Sequence, residues 1–307
     1  MELRHLRYVV AVAEEGHITR AAEKLGMQQP PLSRQIKALE QEIGVRIFRR
    51  KPRGVELTDA GRTFVDGARS ILASLGSTIE VTRRTARGEQ GRISIGSTNA
   101  AALNALVNII IREFREAIPL VSVTLEEDSS NTLIERIQNN QIDVAFVRTP
   151  LIDPDQLVMH VLQNEAQVVA LPATHALARG KVNRAAALSL NDLAGDTFLV
   201  FGGPQGTFTM QGNALLATCK ELGFSPRVVP VIANTMPRLS LVATGIGIAV
   251  VPASVQRVSA EGVVYRRLKN AHRLTSPLNL VSRRNEASAV VRQFVKLAKQ
   301  TARRFKP

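Results

Sequence analysis

The chain has 307 residues, 45% of them apolar, with 40 Lys plus Arg against 26 Asp plus Glu and a formal net charge of +14. That balance excludes a disordered or collagen-like chain, and no apolar run reaches the roughly 18 residues of a membrane span. Cys219 is the single cysteine, which excludes an intramolecular disulfide and a cysteine-based zinc site. The first residues enter an amphipathic pattern without the long apolar core of a secretory signal, so the expected setting is cytoplasmic, with no membrane partner. The charge is uneven. Residues 1–90 hold 16 basic and 11 acidic side chains, and residues 257–307 hold 13 basic and two acidic. A basic surplus points to a polyanion when it is concentrated and to a solvated surface when it is spread out. Arg292, Lys296, Lys299 and Arg303 have the second pattern. Arg46, Arg49, Arg50, Lys51 and Arg53 have the first.

Apolar residues recur at helical spacing in Leu3, Leu6, Val10 and Ala13, and Gly16 ends the pattern. Ile18, Ala21, Ala22 and Leu25 make a second short helix closed by Gly26. Leu32, Ile36, Leu39 and Ile43 make a third, which starts at Pro30-Pro31 and stops at Gly44. The short turn between the second and third patterns has helix-turn-helix spacing. The third helix then presents Pro30, Ser33, Arg34 and Lys37 outward, with free N–H groups and a positive dipole end suited to phosphate. An arginine there can reach guanine O6 and N7 in a major groove, although an ordinary three-helix bundle carries the same pattern. Val45–Phe48 and Val55–Leu57 read as short strands flanking a cationic tip, Arg49–Gly54.

Ala21-Ala22-Glu23-Lys24-Leu25, Gln29-Pro30-Pro31-Leu32-Ser33-Arg34-Gln35-Ile36, Leu39-Glu40, Gly44-Val45, Phe48, Arg50, Arg53-Gly54 and Leu57-Thr58-Asp59-Ala60-Gly61 together resemble the LysR-type transcriptional regulators. The resemblance implies an all-α winged helix-turn-helix plus a long linker helix, followed by a two-lobed α/β effector domain like the periplasmic binding proteins. It implies that Gln29, Pro30, Pro31, Ser33, Arg34 and Lys37, with Arg50 and Arg53 of the wing, meet a dyad-symmetric promoter site. Expected partners are double-stranded promoter DNA, a small organic-acid effector, a second copy in a homodimer or tetramer, and RNA polymerase; no cofactor and no enzymatic activity are expected. His17 and Gln28 stand where the family commonly has serine, which weakens two helix N-caps by up to about 1 kcal/mol each. The opening Glu2-Leu3-Arg4-His5-Leu6 and the Gln-Pro-Pro helix resemble the subgroup that regulates aromatic catabolism through muconate-like effectors.

Thr58 caps a helix expected to run to Arg87, with one stripe of Phe64, Ala68, Ile71, Leu75, Thr78 and Thr82 and a second of Val65, Leu72 and Ile79. Two stripes call for two partners or for a long surface helix packed on its own domain; the resemblance implies the first, with a twin helix from another subunit as one partner. Arg87–Arg92 reads as a hinge. The expected divisions are 1–58 for DNA binding, 59–87 for the linker helix, 88–91 for the hinge and 92–307 for the effector domain. Lobe one is 92–163 plus 269–307 and lobe two is 164–268, with crossovers near Val161–Val168 and Tyr265–Lys269.

Beyond the hinge, strand-like runs (Arg92–Gly96, Leu120–Glu126, Asp143–Val147, Gln167–Leu171, Thr197–Phe201, Arg227–Ile232, Gly247–Val251, Leu278–Ser282) alternate with helical patterns (Ala102–Glu116, Thr132–Asn139, Gln211–Leu222, Met236–Ala243, Ala287–Phe305). This is α/β grammar, in which ligands sit beyond the carboxyl ends of strands. Ser97, Thr98 and Asn99 follow the first such strand, Ser129 the second, Arg148 the third, and Phe201, Gly202 and Thr207 a strand of lobe two. Each hydroxyl can equally cap a helix. Arg148 can pair with an effector carboxylate or with Asp143 or Glu127. The histidines are scattered, no Gly-x-Ser-x-Gly elbow is present, and Cys219 lies in an apolar helical pattern that suits a packed thiol. The rival to a ligand-controlled regulator is a constitutive DNA-binding protein whose sensor domain does not respond.

Overall fold

The structure is a computed structural model and describes residues 1–148, 156–179, 187–202, 208–231, 234–269 and 274–306. The chain forms two compact units, Met1–Arg84 and Thr85–Pro307. In the first, α1 (Leu3–Glu15), α2 (Ile18–Lys24) and α3 (Gln29–Ile43) precede the hairpin β1 (Phe48–Lys51) and β2 (Gly54–Leu57), and α4 (Asp59–Arg87) follows. Val9, Val12, Ala21, Ala22, Leu32, Ile36, Leu39, Ile47 and Val65 make its core. Gly16 and Gly44 end α1 and α3 in the left-handed conformation, at φ 61° and 76°. His17 and Gln28 supply no side-chain cap, whereas Thr58 Oγ1 accepts the Gly61 N–H at 2.8 Å.

The hairpin differs from the sequence expectation. Its first strand is Phe48–Lys51 rather than Val45–Phe48, so Arg49, Arg50 and Lys51 lie in the ladder and only Pro52-Arg53 form the turn. Ile47 is fully buried in the core, and Glu40 of α3 accepts the Ile47 and Phe48 N–H groups at 2.7 and 2.9 Å. Helix capture, rather than local β propensity, sets where the strand begins. In α4 the buried residues are Gly61, Val65 and Ala68, all in its first turns. Beyond them Ile71 and Ile79 are 48% and 44% exposed.

The second unit contains β3 (Gly91–Ser97), α5 (Asn99–Ala102), α6 (Ala105–Ala117), β4 (Val121–Glu127), α7 (Ser130–Gln138), β5 (Val144–Val147), β6 (Leu157–Pro172) and α8 (Ala176–Arg179). There follow β7 (Thr197–Phe201), α9 (Met210–Glu221), β8 (Arg227–Val231), α10 (Thr235–Ala243), β9 (Ala249–Pro252), β10 (Val263–Arg267), β11 (Thr275–Arg283) and α11 (Ala289–Arg304). One half orders its strands β6-β11-β5-β3-β4. The other places β6 between β10 and β9, with the parallel pair β7-β8 bridged to β9 through Phe198 and Ile248.

Both faces of each sheet are covered, because successive side chains alternate across a strand. Ile93, Ile95, Phe146 and Leu280 meet Ile110 of α6 and Phe294 of α11, while Ala145, Val147 and Val281 meet Leu133 and Ile137 of α7. Val169 and Leu171 face Leu215 and Cys219 of α9, while Val168 and Ala170 face Leu239 and Val242 of α10. Burial pushes the Cys219 thiol up to about 11, an inert core group.

Val161–Val168 belongs to the continuous β6, which pairs first with β11 and then with β10 and β9. Tyr265–Arg267 lies within β10. The helix expected over Ala102–Glu116 is α6, which starts three residues later, after the short α5. Asn104 caps α6 through Leu106 N–H at 2.8 Å, and its amide is held by Gln163 and Glu165 at 3.0 and 2.7 Å.

Candidate nucleic-acid interface and effector cleft

Leu32, Ile36 and Leu39 turn α3 onto the core, which leaves Pro30, Arg34 and Lys37 exposed and Gln29, Pro31 and Ser33 half-buried. Arg50 and Arg53 are exposed on the hairpin. Ser33 and Lys37 line a groove of about 800 Å³ with Arg46, Arg49 and Arg50, so α3 and the hairpin share one concave face. Gln29, Pro30, Pro31, Arg34 and Arg53 lie outside that lining. Arg49 and Lys51 are engaged by Glu56 across the ladder, the first at 3.0 Å. These two cations hold the Glu56 carboxyl down to about 2, with Arg49 the larger influence. Among the described residues, Arg34, Lys37, Arg46, Arg50 and Arg53 have no anionic partner.

One expectation is corrected here. Four N–H groups at a helix start lack intrahelical partners, but in α3 two of those positions are proline, which has no N–H. The helix start offers fewer donors to a phosphate than its dipole suggests, which leaves the exposed side-chain cations as the positive groups of that face. Glu40, which locks the wing to α3, is the residue that site reasoning passed over. Its position in the fourth turn of α3 gave no sign of the two backbone groups it captures.

In the second unit, Ser97, Thr98 and Asn99 leave the carboxyl end of β3, beside Glu127 of β4 and Phe146 of β5. Thr98 caps α5 by accepting from Ala101 N–H at 3.3 Å, and Ser129 caps α7 by accepting from Thr132 N–H at the same distance. Ser97 Oγ donates to the Thr98 carbonyl at 3.2 Å. Asn99 Nδ2 donates to Glu127 at 3.2 Å, while its Oδ1 is buried with no donor.

Arg148 is not free to meet a ligand. It is 4% exposed and donates to Glu165 at 2.7 Å, to the Ala100 carbonyl at 3.1 Å, and to Ser276 at 3.2 Å. Neither Asp143 nor Glu127 is its partner; Asp143 accepts from Arg283 at 2.9 Å. Burial lowers the Arg148 pKa and Glu165 partly restores it. Burial pushes the Glu165 carboxyl up, but Arg148 and the Ser254 N–H outweigh it and hold the group below its ordinary value. Gln211 of α9 donates to the Arg148 carbonyl and to Ser276 Oγ, each at 3.2 Å. This polar network joins β5, β6, β11, α5 and α9, and it sits where β6 leaves one sheet for the other.

On the far side of that seam, Phe201 ends β7 beside Val231 at the end of β8, and Gly202 N–H donates to the Val231 carbonyl at 3.2 Å. The Arg238 guanidinium lies 3.6 Å from the Phe201 ring centroid. Thr207 lies outside the described residues. The structure therefore gathers Ser97, Thr98 and Asn99 beside β4, and Phe201 with Gly202 at a second set of strand ends. Arg148 is diverted into the seam. Arg238 had no signal beyond being a polar residue on an amphipathic helix. No helix among the described residues is long and apolar enough to cross a membrane.

Residues 3–62 match the model of the bacterial regulatory helix-turn-helix protein, lysR family, and residues 86–303 match the LysR substrate binding domain. The chain is 34% identical to the HTH-type transcriptional regulator AlsR of Bacillus subtilis (strain 168), over 97% of this chain and 95% of that one. It superposes with TM-score 0.84 on full-length CbnR complexed with its target DNA, at 27% identity, covering 98% of this chain and 100% of CbnR. The effector binding domain of BenM with its effector benzoate aligns with TM-score 0.57 and 26% identity, covering 71% of this chain and 96% of that domain.

Proposed function

From the premise that this chain belongs to the LysR family of DNA-binding transcriptional regulators, we propose that it is controlled by a small organic or aromatic-derived acid bound between two α/β lobes. The groove shared by α3 and the wing carries the DNA half of this reading, since it combines hydrogen-bonding groups with Lys37, Arg46 and Arg50, which have no anionic partner among the described residues. Arg34 and Ser33 read bases, with Gln29, Pro30, Pro31 and Lys37 beside them. Arg50 and Arg53 grip phosphate, which positions the module without specifying sequence. Two copies paired through α4, and pairs of such pairs in a tetramer, match a dyad-symmetric promoter site. RNA polymerase is the partner downstream.

The effector half is supported by the strand-end clusters at Ser97–Asn99 and Phe201–Gly202 on either side of the Arg148–Glu165 seam. A ligand that prefers one arrangement of the lobes shifts the regulator towards it, and a ligand with equal affinity for both shifts nothing. BenM's benzoate is the precedent for an acid in such a domain.

Footprinting of the protein on the intergenic DNA upstream of its own gene tests the whole reading. Protection should appear as two half-sites, and a thermal-shift screen of organic acids should yield compounds that change the pattern. Arg34→Ala should weaken binding by about 1–3 kcal/mol and relax base preference at one position per half-site. Protection that never changes with any stabilising acid would favour the constitutive binder.

A further inference from the structure

Among the deeply buried arginines of the described residues, Arg238 alone lacks an acceptor. Arg148 has Glu165 and four further oxygens, from Ala100, Ser276 and Ser254, and Arg266 donates to the Leu177 carbonyl at 2.6 Å. Arg238 is 4% exposed, its Nε, like those of Arg148 and Arg266, is sealed from solvent with no partner, and its guanidinium carbon sits 3.6 Å over the Phe201 ring. A guanidinium carries five N–H donors and stays charged at neutral pH. Burial alone depresses its pKa, to about 9, which still leaves it protonated. The face of one phenyl ring is a weak substitute for water or a carboxylate around a buried cation.

The surroundings have the same polarity. Phe201 is the last residue of β7 and pairs with Val231, the last of β8. Helix α10 follows, nine residues long, and its N-cap Asn234 makes no side-chain cap bond. Pro237 removes one N–H from this helix start and the Arg238 N–H is bonded to the Asn234 carbonyl, so the guanidinium stacked on Phe201 is the donor group at the carboxyl end of β7, where α/β folds bind ligands.

We propose that Arg238, held flat on Phe201, is the carboxylate receptor of the effector site, and that effectors of this protein carry a carboxylate which completes this buried charge. The assignment rests on the effector reading above and moves the acid-binding role from Arg148 to Arg238. The planar two-oxygen face of a carboxylate matches the guanidinium fork.

The test uses the full chain and three probes, sodium acetate, sodium benzoate and sodium phosphate, each replacing chloride at constant ionic strength. Thermal unfolding is followed for wild type, Arg238→Met and Arg238→Lys. Acetate and benzoate should raise the wild-type Tm, the rise should vanish in Arg238→Met, and Arg238→Lys should keep part of it. In chloride alone Arg238→Met should unfold at or above the wild-type temperature, because an unpaired buried charge has been removed. An equal acetate rise in Arg238→Met, a response to phosphate alone, or an Arg238→Met protein that is less stable or unfolded in chloride would each overturn the proposal. Footprints recorded with the same acids separate this from the regulatory reading. An acid that alters protection equally in both proteins leaves the regulator and removes Arg238. An acid that binds through Arg238 without altering protection leaves the site and removes the regulation.

Discussion

Arg148 and Glu165 show how a residue's role depends on what the fold brings beside it. Both are buried, and their 2.7 Å contact removes a charge that neither could carry alone. Arg148→Ala should destabilise the chain by about 3–5 kcal/mol, because it strands the carboxylate. Urea unfolding of the full chain measures this, and Arg148→Met combined with Glu165→Leu should come out far milder. The pair also fixes a pH dependence. The folded Glu165 pKa lies below its ordinary value of about 4.3, so between the two values the unfolded chain binds more protons and stability rises with pH. The contribution is complete above the ordinary value and fades as pH falls through the folded one. The stability gap between wild type and Glu165→Gln should therefore hold from pH 7 to 5 and shrink below 4. In the sequence Arg148 sits at a strand end with Asp143 and Glu127 nearby, and nothing local announces that β6 will deliver Glu165 instead. Arg238 and Phe201 are hidden for the same reason, since each is read correctly as part of its own element and their stacking depends on how α10 packs on the sheet.

At the scale of elements, periodicity carried the helices and most strands of the α/β unit, because one buried face per element leaves a regular apolar trace. It failed where an element serves two environments. In β6 the alternation breaks as the strand leaves one sheet for the other, with Val161 57% exposed within it, so the residue pattern gave a strand only over Gln167–Leu171 while β6 begins at Leu157. In the wing, Val45–Phe48 had the better β composition, yet Glu40 and the turn before Gly54 set the register. Gly54 is decisive there. It has φ +131°, and a Cβ would lie 2.3 Å from the Gly16 carbonyl oxygen, on which Val55 N–H is docked at 2.9 Å. Gly54→Ala should cost roughly 1–3 kcal/mol in backbone strain and contact, read as a lower Tm, and should weaken DNA binding across unrelated sequences as the wing lifts from α1. Helix α4 makes a complementary case. Its first turns are buried by the core, while Ile71 and Ile79 further along remain uncovered. Burying one such side chain contributes about 1.5–3 kcal/mol, and two-fold pairing counts each twice. Ile71→Asp with Ile79→Asp should shift sedimentation from dimer or tetramer towards monomer, and an unchanged profile would exclude α4 as the pairing surface.

For the molecule as a whole, the question is which of its positive charges DNA sees. The net charge of +14 is a long-range field, but at 0.15 M salt the Debye length is about 8 Å, so only cations near phosphates affect equilibrium binding. Two populations differ in what already occupies them. On α3 and the wing, Arg50 and Arg53 are exposed and have no anionic partner among the described residues. The C-terminal population lines a groove of about 620 Å³ beside α11 that includes Lys296, Lys299 and Arg303. There the neighbouring cations are committed: Arg283 to Asp143 and Glu286, and Arg292 to the Glu286 and Ala287 carbonyls. Arg303 sits in the last turn of α11, where a cation favours the helix dipole. The lysines stand on the exposed side of a helix whose other side buries Val291, Phe294 and Ala298. This is the solvated-face pattern that the sequence spacing indicated. Counterion release then separates the two populations, since removing a cation that neutralises one phosphate flattens the slope of log affinity against log salt by about 0.9. Measured from 0.1 M salt upward, Arg50→Gln with Arg53→Gln should flatten the slope by close to two per DNA-bound protomer. Lys296→Gln, Lys299→Gln and Arg303→Gln together should leave it unchanged and slow association only at low salt, where the unscreened field steers the encounter. A flatter slope from the α11 changes would make that groove part of the DNA-binding surface.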